Sequence, residues 1–395
     1  MLAADRASEA REVVARARAL IPLLAERAPV AAHVRALSAE TIADMKAAGV
    51  FRVLQPKRWG GYELDARTYF EVQMALGEGD MSAAWIYGVV GVHPWLMALL
   101  DDRAARDVWG EDDSVLISSS LAPMGKAKRV DGGFVLGGRW KYSSGCEHCD
   151  WAFLGAIVDP PEGGAPDQRH FLIPRGDYEI VDTWNVPGLR ATGSHDIVVR
   201  DVFVPDYRVQ SLLDSFNLTG PGQAVNAAAL YRLPFGQIFV RGVSSAAIGA
   251  LQSLLDAIVA YGSVRVTRAG GRTAEDPVAQ LTCAETASAI DEMKTVLFAT
   301  FETLQGYADR GEAPPRDERL RFKFQSSHVP ERCVNLAARL FKLTGAAGLD
   351  GELPFARILA DITTGRQHLA NQYEFYGRNW GRAMFGLEPP RDLMM

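Results

Sequence analysis

The chain has 395 residues, of which 48% are hydrophobic and 23% charged. That is long for one core and typical of a soluble globular protein, so two or three packed domains are expected. A net charge of −6 argues against nucleic acid as a partner, and four cysteines are too few for a disulfide framework and fit a reducing cytoplasm.

In chain order, residues 4–112 read as mostly helical. The opening, MLAADRASEAREVVARARALIPLL, carries charges throughout and reads as an amphipathic helix, not a secretion signal. Ser38 and Thr41 predict a helix start and Gly49 a stop, while Pro56 and the Gly60-Gly61 pair predict a loop. Residues 81–100 contain no Asp, Glu, Lys or Arg and are long enough to span a bilayer. Gly88, Gly91, His93 and Pro94 within that run favour a buried helix, broken at His93 by the proline that follows it.

From residue 115 to about 207, short β-prone runs appear at 115–118, 134–142, 151–158, 170–173, 178–181 and 196–204. Asp131-Gly132-Gly133 predicts a hairpin turn, and DPPEGGAP at 159–166 an exposed loop. Without intervening helices, these runs predict an antiparallel sheet or small barrel. From Ala224 onward, apolar residues such as Val243, Ala247, Ala250, Leu254 and Ile258 recur at helical spacing, and the breaks leave about four long helices packed as a bundle. The expected organisation is α+β: a helical domain at 1–114, a β domain at 115–212 and a helical bundle at 213–395.

Several groups in this frame can carry chemistry. Tyr142-Ser143-Ser144-Gly145 closes a strand, where small hydroxyls can bond the edge of a flat heterocycle or simply make a turn. Ser118-Ser119-Ser120 ends the strand before it. His93 is a lone histidine in an apolar run, more often a core residue than a catalyst. His368 lies in DITTGRQHLANQYEFYG; a free imidazole, with a pKa near ~6.5, moves protons at neutral pH. Arg265, Arg268 and Arg272 make the loop at 261–280 basic, and arginine forks suit phosphate. Cys146 and Cys149 have CxxC spacing without a second ligand pair, so no metal site is expected. Neither GxGxxG nor GxxxxGK[ST] occurs, which leaves a nicotinamide Rossmann site and a P-loop unsupported.

The segment WNVPGLRATGSHDIVVRDVFVPDY at 184–207 resembles the middle domain of the acyl-CoA dehydrogenase superfamily, and the helical–β–helical order extends the resemblance over essentially the whole chain. GVHPW at 91–95, and His368 near the place of the superfamily's glutamate base, resemble the oxygenase components of two-component flavin-dependent monooxygenases, such as those acting on p-hydroxyphenylacetate and seco-steroid phenols. The resemblance implies an acyl-CoA dehydrogenase-like fold ending in a four-helix bundle. It implies reduced FMN or FAD from a separate NAD(P)H-flavin reductase, O2 captured at flavin C4a as a hydroperoxide, and hydroxylation of an aromatic or polycyclic small molecule. It places His93 at the substrate, Ser143 or Ser144 at flavin N5, and Ser119 or Ser120 at flavin or substrate. His368 is implied to handle protons and Arg265 to grip the cofactor's phosphates, with Gln280 before the next helix. Trp85, Tyr87 and Trp95 are candidates for a dry wall around the oxygen chemistry. A cytoplasmic homotetramer, assembled through the bundle, is expected. Asn371-Gln372-Tyr373 departs from the acidic residue that related phenol hydroxylases carry there. Two alternatives stay open: an FAD-dependent acyl-CoA dehydrogenase using Glu292 or Glu374 as base, and a non-catalytic ligand-binding relative.

Overall fold

The computed structural model describes residues 2–159, 167–267, 270–390 and 392. Arg268 and nearly all of the predicted loop at 159–166 lie outside the described residues. The N-terminal third is helical as expected. Ser38 caps the helix Ala39–Ala47 by accepting from the Thr41 N–H at 3.1 Å, and Asp65 and Asp80 cap Ala66–Gly79 and Met81–Val90 in the same way. The charge-free run divides into two buried helices, Met81–Val90 and His93–Met97. The break falls at Gly91–Val92, just before His93. Pro94 then sits in the first turn of the new helix, where its missing N–H costs no hydrogen bond.

The β region forms one seven-stranded sheet. Its strands are β1 (Ile117–Val130), β2 (Gly133–Ser143), β3 (Trp151–Val158), β4 (Asp167–Pro174), β5 (Glu179–Val181), β6 (His195–Pro205) and β7 (Val209–Ser211), in the order β5-β6-β2-β1-β3-β4-β7. All neighbours are antiparallel except β1 and β3. One face is closed by its own core around Phe134, Trp140, Phe171 and Ile197. The other face packs against the helices through Phe153 and Leu172.

The two helical regions share one continuous core. Ala66–Gly79 crosses Ala246–Val264 at a glycine contact, where a Cβ on Gly249 would lie 2.2 Å from the Met74 carbonyl oxygen. The apolar run Phe235–Val264 has the length and composition of a membrane span, but it is mostly buried between these helices. The C-terminal region has more pieces than the four long helices expected: Phe235–Gly242, Ala246–Val264, Pro277–Asp309, Arg316–Ser327, Val329–Lys342, Phe355–Arg366 and Tyr373–Met384. Pro330 accounts for one unforeseen break, since it starts a helix in its first turn.

Candidate active site

The site grows from the loop that joins β5 to β6. Gly188 packs directly on the helix Phe355–Arg366; a Cβ there would lie 2.1 Å from the Ala360 carbonyl oxygen. The next residue, Leu189, has a positive φ of 52° and donates its N–H to Asp361 Oδ1 at 2.6 Å. Asp361 is buried. Desolvation, then the neighbouring Asp80 charge, push its pKa up to about 7, against the Leu189 hydrogen bond and Arg357. The docked loop presents Thr192 and Ser194 to the end of β2.

There the left-handed backbone of Tyr142 (φ 70°) bends the strand, and its register against β6 slips between Trp140 and Ser143. Ser144 then joins a hydroxyl relay whose polarity can be deduced. Thr192 Oγ1 donates to the Leu189 carbonyl at 2.8 Å. With that hydrogen spent, Ser194 must donate across the 2.6 Å contact to Thr192, and Ser144 across the 2.7 Å contact to Ser194. Trp85 Nε1–H donates to Ser144 Oγ at 3.2 Å. Ser144 therefore keeps one free lone pair and no free hydrogen: it is an acceptor.

His368 completes this corner. Its ring meets Trp85 edge-on at 5.7 Å, and its Nδ1 accepts from the Ala370 N–H at 3.1 Å. The neutral ring consequently carries its proton on Nε2, as a donor. Burial lowers the pKa, so the neutral form prevails at pH 7. Asn371 pins the turn by donating to the Val243 and Gly365 carbonyls at 3.0 and 2.9 Å. The dehydrogenase alternatives do not compete for this place: Glu292 is exposed and paired with Arg332 at 2.8 Å, and Glu374 is exposed on its own helix.

A second cluster lies further along the apolar run. His93 is fully buried and its Nδ1–H donates to the Ile117 carbonyl at 2.6 Å, which leaves Nε2 as an acceptor. Burial pulls its pKa down to about 4. Phe153 and Phe239 flank the ring at 5.8 and 6.2 Å. Among the described residues, His93 Nε2, Ser143 Oγ and His170 Nδ1 find no hydrogen-bond partner although all are buried. His170, on β4, is a residue the sequence reading missed.

The remaining candidates divide. Ser119 pairs with Phe153 across β1 and β3 and so shares its helix-facing side, whereas Ser118 and Ser120 donate to the Trp151 and Lys141 carbonyls. Trp95 donates to the Leu230 carbonyl at 2.8 Å and stacks on Phe235, part of the wall beside His93. Tyr87 does not join them. It faces the other side of its helix, against Tyr69 and Phe51, and its hydroxyl donates to the Tyr69 carbonyl. Arg265 lies over Tyr261 and donates to the Leu343 carbonyl. Tyr261 packs on Phe355, at the opposite end of Phe355–Arg366 from His368, so about 18 Å of helix separates Arg265 from the Ser144 corner. Gln280 donates to the Ala274 carbonyl on that same distant side. Cys146 and Cys149 are buried, which raises both thiols, Cys146 to about 12; the Cys146 thiol donates to the Gly193 carbonyl.

The layout of two helical regions around one sheet is that of the acyl-CoA dehydrogenase-like fold. The family model for the acyl-CoA dehydrogenase C-terminal domain matches residues 241–373. The oxygenase subunit HsaA of a flavin-dependent monooxygenase from Rhodococcus jostii (strain RHA1) is 38% identical over 379 residues, 95% of this chain and 99% of that one. The oxygenase component of an FADH(2)-dependent resorcinol hydroxylase from Rhizobium sp. (strain MTP-10005) is 32% identical over 366 residues, 90% and 89% of the two chains. Among solved structures, XiaF from Streptomyces sp., in complex with FADH2 and glycerol, matches with a TM-score of 0.89 at 26% identity over 99% of each chain. The chain belongs to the oxygenase components of two-component flavin-dependent monooxygenases.

Proposed function

We propose that the chain hydroxylates an aromatic or polycyclic alcohol with reduced flavin and O2, the flavin arriving from a separate NAD(P)H-dependent reductase. The observation that carries this reading is the match of polarities. Ser144 can only accept, and reduced flavin, unlike the oxidised form, has an N5–H to give. When bound, reduced flavin supplies the two electrons that activate O2 and carries the oxygen delivered to the substrate. His368 holds a donor proton on Nε2 beside Trp85, suited to keeping an oxygen anion hydrogen-bonded. His93 Nε2, open as an acceptor, would take a phenolic O–H and so fix the orientation of the ring. Trp85, Trp95, Phe153 and Phe239 exclude the water that would divert reduced oxygen to free peroxide. Ser119 stands on the substrate side. Arg265 and Gln280 suit the phosphate end of a flavin, from this chain or a neighbouring copy.

The reading extends to assembly. The helix Pro277–Asp309 exposes Val278 and Leu281, and Ala246–Val264 exposes Val259 and Val264, beside a groove lined by Leu255, Val259, Cys283 and Ala287. Large apolar side chains along neighbouring helices favour pairing of bundles, and we read the protein as a homotetramer. The four unpaired cysteines suit a cytoplasmic setting.

The test is isotopic. Purified oxygenase, a flavin reductase, NADH and a panel of phenols are incubated under 18O2. Product carrying one 18O atom is expected; product labelled only from water, or flavin bleached by an acyl-CoA without O2, would overturn the assignment.

A further inference from the structure

The helix Phe235–Gly242 carries an unmatched charge on the face turned away from the aromatic wall. Phe235 and Phe239, one turn apart, meet His170 and His93. Arg241 stands two residues past Phe239, about 200° further round the helix, and so points to the other side. Its neighbours define that side. Gln237, one turn before Arg241, donates to the Arg319 carbonyl at 3.0 Å on the helix Arg316–Ser327, and Ser244 Oγ meets Ser326 Oγ of the same helix at 3.2 Å. The backbone continues helically past Gly242: the Ser245 N–H donates to the Arg241 carbonyl at 3.0 Å, which puts the two side chains one turn apart on one face. Arg241 is 1% exposed and Ser245 fully buried, yet Arg241 Nη1, Arg241 Nη2 and Ser245 Oγ find no hydrogen-bond partner among the described residues. Nor does the carboxylate on that side answer the charge. Asp392 meets Lys323 at 3.7 Å; burial lowers the pKa of Lys323 and Arg319, and Asp392 opposes it for both. Burial alone acts on Arg241 and lowers its pKa to about 9, so the guanidinium stays charged at pH 7. A charge stripped of water in such a place is strongly destabilising unless it is matched.

We propose that Arg241 and Ser245 form an anion-binding site inside the helical bundle, and that its ligand is a small monovalent anion, a halide such as chloride. Both side chains can present hydrogens to it: a guanidinium has donors only, and the Ser245 hydroxyl turns its hydrogen to the ion. One negative charge balances one guanidinium. Enclosure leaves an organic acid or a phosphate no way to keep its remainder in water, whereas a monatomic ion needs little more room than an ordered water. Water in the same place would take hydrogen bonds and leave the charge unbalanced. The site lies across the helix from the aromatic wall, so it requires neither flavin nor substrate. Between its two residues, the Val243 carbonyl accepts from Asn371, which pins the turn carrying His368. An anion that holds the Arg241–Ser245 turn steadies the point from which that turn hangs.

The experiment is thermal unfolding of the full-length protein, freed of halide, in sodium chloride, sodium bromide and sodium gluconate at equal ionic strength. Gluconate is too large to enter. The halides should raise the midpoint by about 2 °C over gluconate, by mass action on the folded state. R241M keeps most of the side chain's length without its charge and should remove the difference between the salts. Crystals of the wild-type protein grown in bromide should show an anomalous peak within hydrogen-bonding reach of the Arg241 guanidinium and Ser245 Oγ, which decides even if R241M does not fold. Equal midpoints in the three salts, a halide effect that persists in R241M, or an ordered Arg241 with no bromide beside it would overturn the proposal. Incorporation of 18O from O2 is a separate readout, so the oxygenase reading and the anion site can fail independently.

Discussion

The two ends of the candidate site are built on opposite plans. At the Ser144 corner the hydroxyl chain is committed, Trp85 to Ser144, Ser144 to Ser194, Ser194 to Thr192 and Thr192 to the Leu189 carbonyl, while Ser143 Oγ and Asn371 Oδ1 beside it find no partner among the described residues. At the His93 end, buried nitrogens are left open among the described residues. A committed network fixes orientation before the ligand arrives and offers it one defined contact, which suits a cofactor of constant shape. An open one is matched only when a ligand of the right pattern enters, which suits selection among substrates. The difference also explains why the loop at 184–194 and its anchor, Asp361, are so tightly docked. They set the direction of every hydrogen in the relay.

Breaking the corner should have the largest consequence. His368→Ala removes the Nε2 donor and should lower product formed per NADH oxidised by about a hundredfold, with peroxide appearing instead. Unchanged coupling, measured as product against NADH, would remove His368 from proton handling. Gly188→Ala attacks the anchor. The added Cβ meets the Ala360 carbonyl, and the variant should lose about 2 kcal/mol, read as a lower denaturation midpoint. Ser194→Ala is subtler. It removes the acceptor of the Ser144 hydrogen, so Ser144 regains a proton to offer and loses its bias; the preference for reduced over oxidised flavin should shrink about tenfold with little change in stability. A plain structural role for Ser194 would move the stability and spare the preference.

Asp361→Asn leaves the corner's hydrogen bonds in place and sharpens the account of the anchor through pH alone. The folded carboxyl is pushed up to about 7 from 3.8, so between those values the native state holds a proton that the unfolded state has lost. Its contribution to stability is therefore present at low pH and lost as the pH rises toward 7. The amide still accepts from the Leu189 N–H and has no proton to lose. The variant should match wild type near pH 4 and be the more stable near pH 8, and melting temperatures across that range check it.

Much of this was legible in the sequence because it depends on local pattern. The β3 run at 151–158 is observed over those residues, as Trp151–Val158, and the Ser38 cap forms as expected. The short β7 was missed because three residues carry no period. The break before His93 was expected two residues late: Pro94 starts a helix there and does not end one. Resemblance and chemistry together singled out Trp85, His93 and His368, and the structure brings Trp85 and His368 into contact and buries His93. Thr192 and Ser194 lay inside a segment already singled out, yet their hydroxyls matter only through a strand end 50 residues away at Ser144. His170 was invisible for a related reason: a histidine in an apolar strand gains meaning only from its neighbours across space, here Phe235 and, beyond Phe239, His93. The one available sign was a polar residue on the same strand face as Leu172. Tyr87 failed in the opposite sense, an aromatic near the site in sequence but on the far side of its helix.

The acceptor-only state of Ser144 is the claim on which the cofactor assignment turns, and a comparison of flavin affinities tests it most directly. Kd values for reduced and oxidised FMN and FAD are measured anaerobically on the wild-type enzyme. The relay predicts that the reduced form binds at least about tenfold more tightly, because the oxidised N5 would set a lone pair against a lone pair in a buried place. Equal affinity for the two redox states, or tighter binding of the oxidised form, would contradict it.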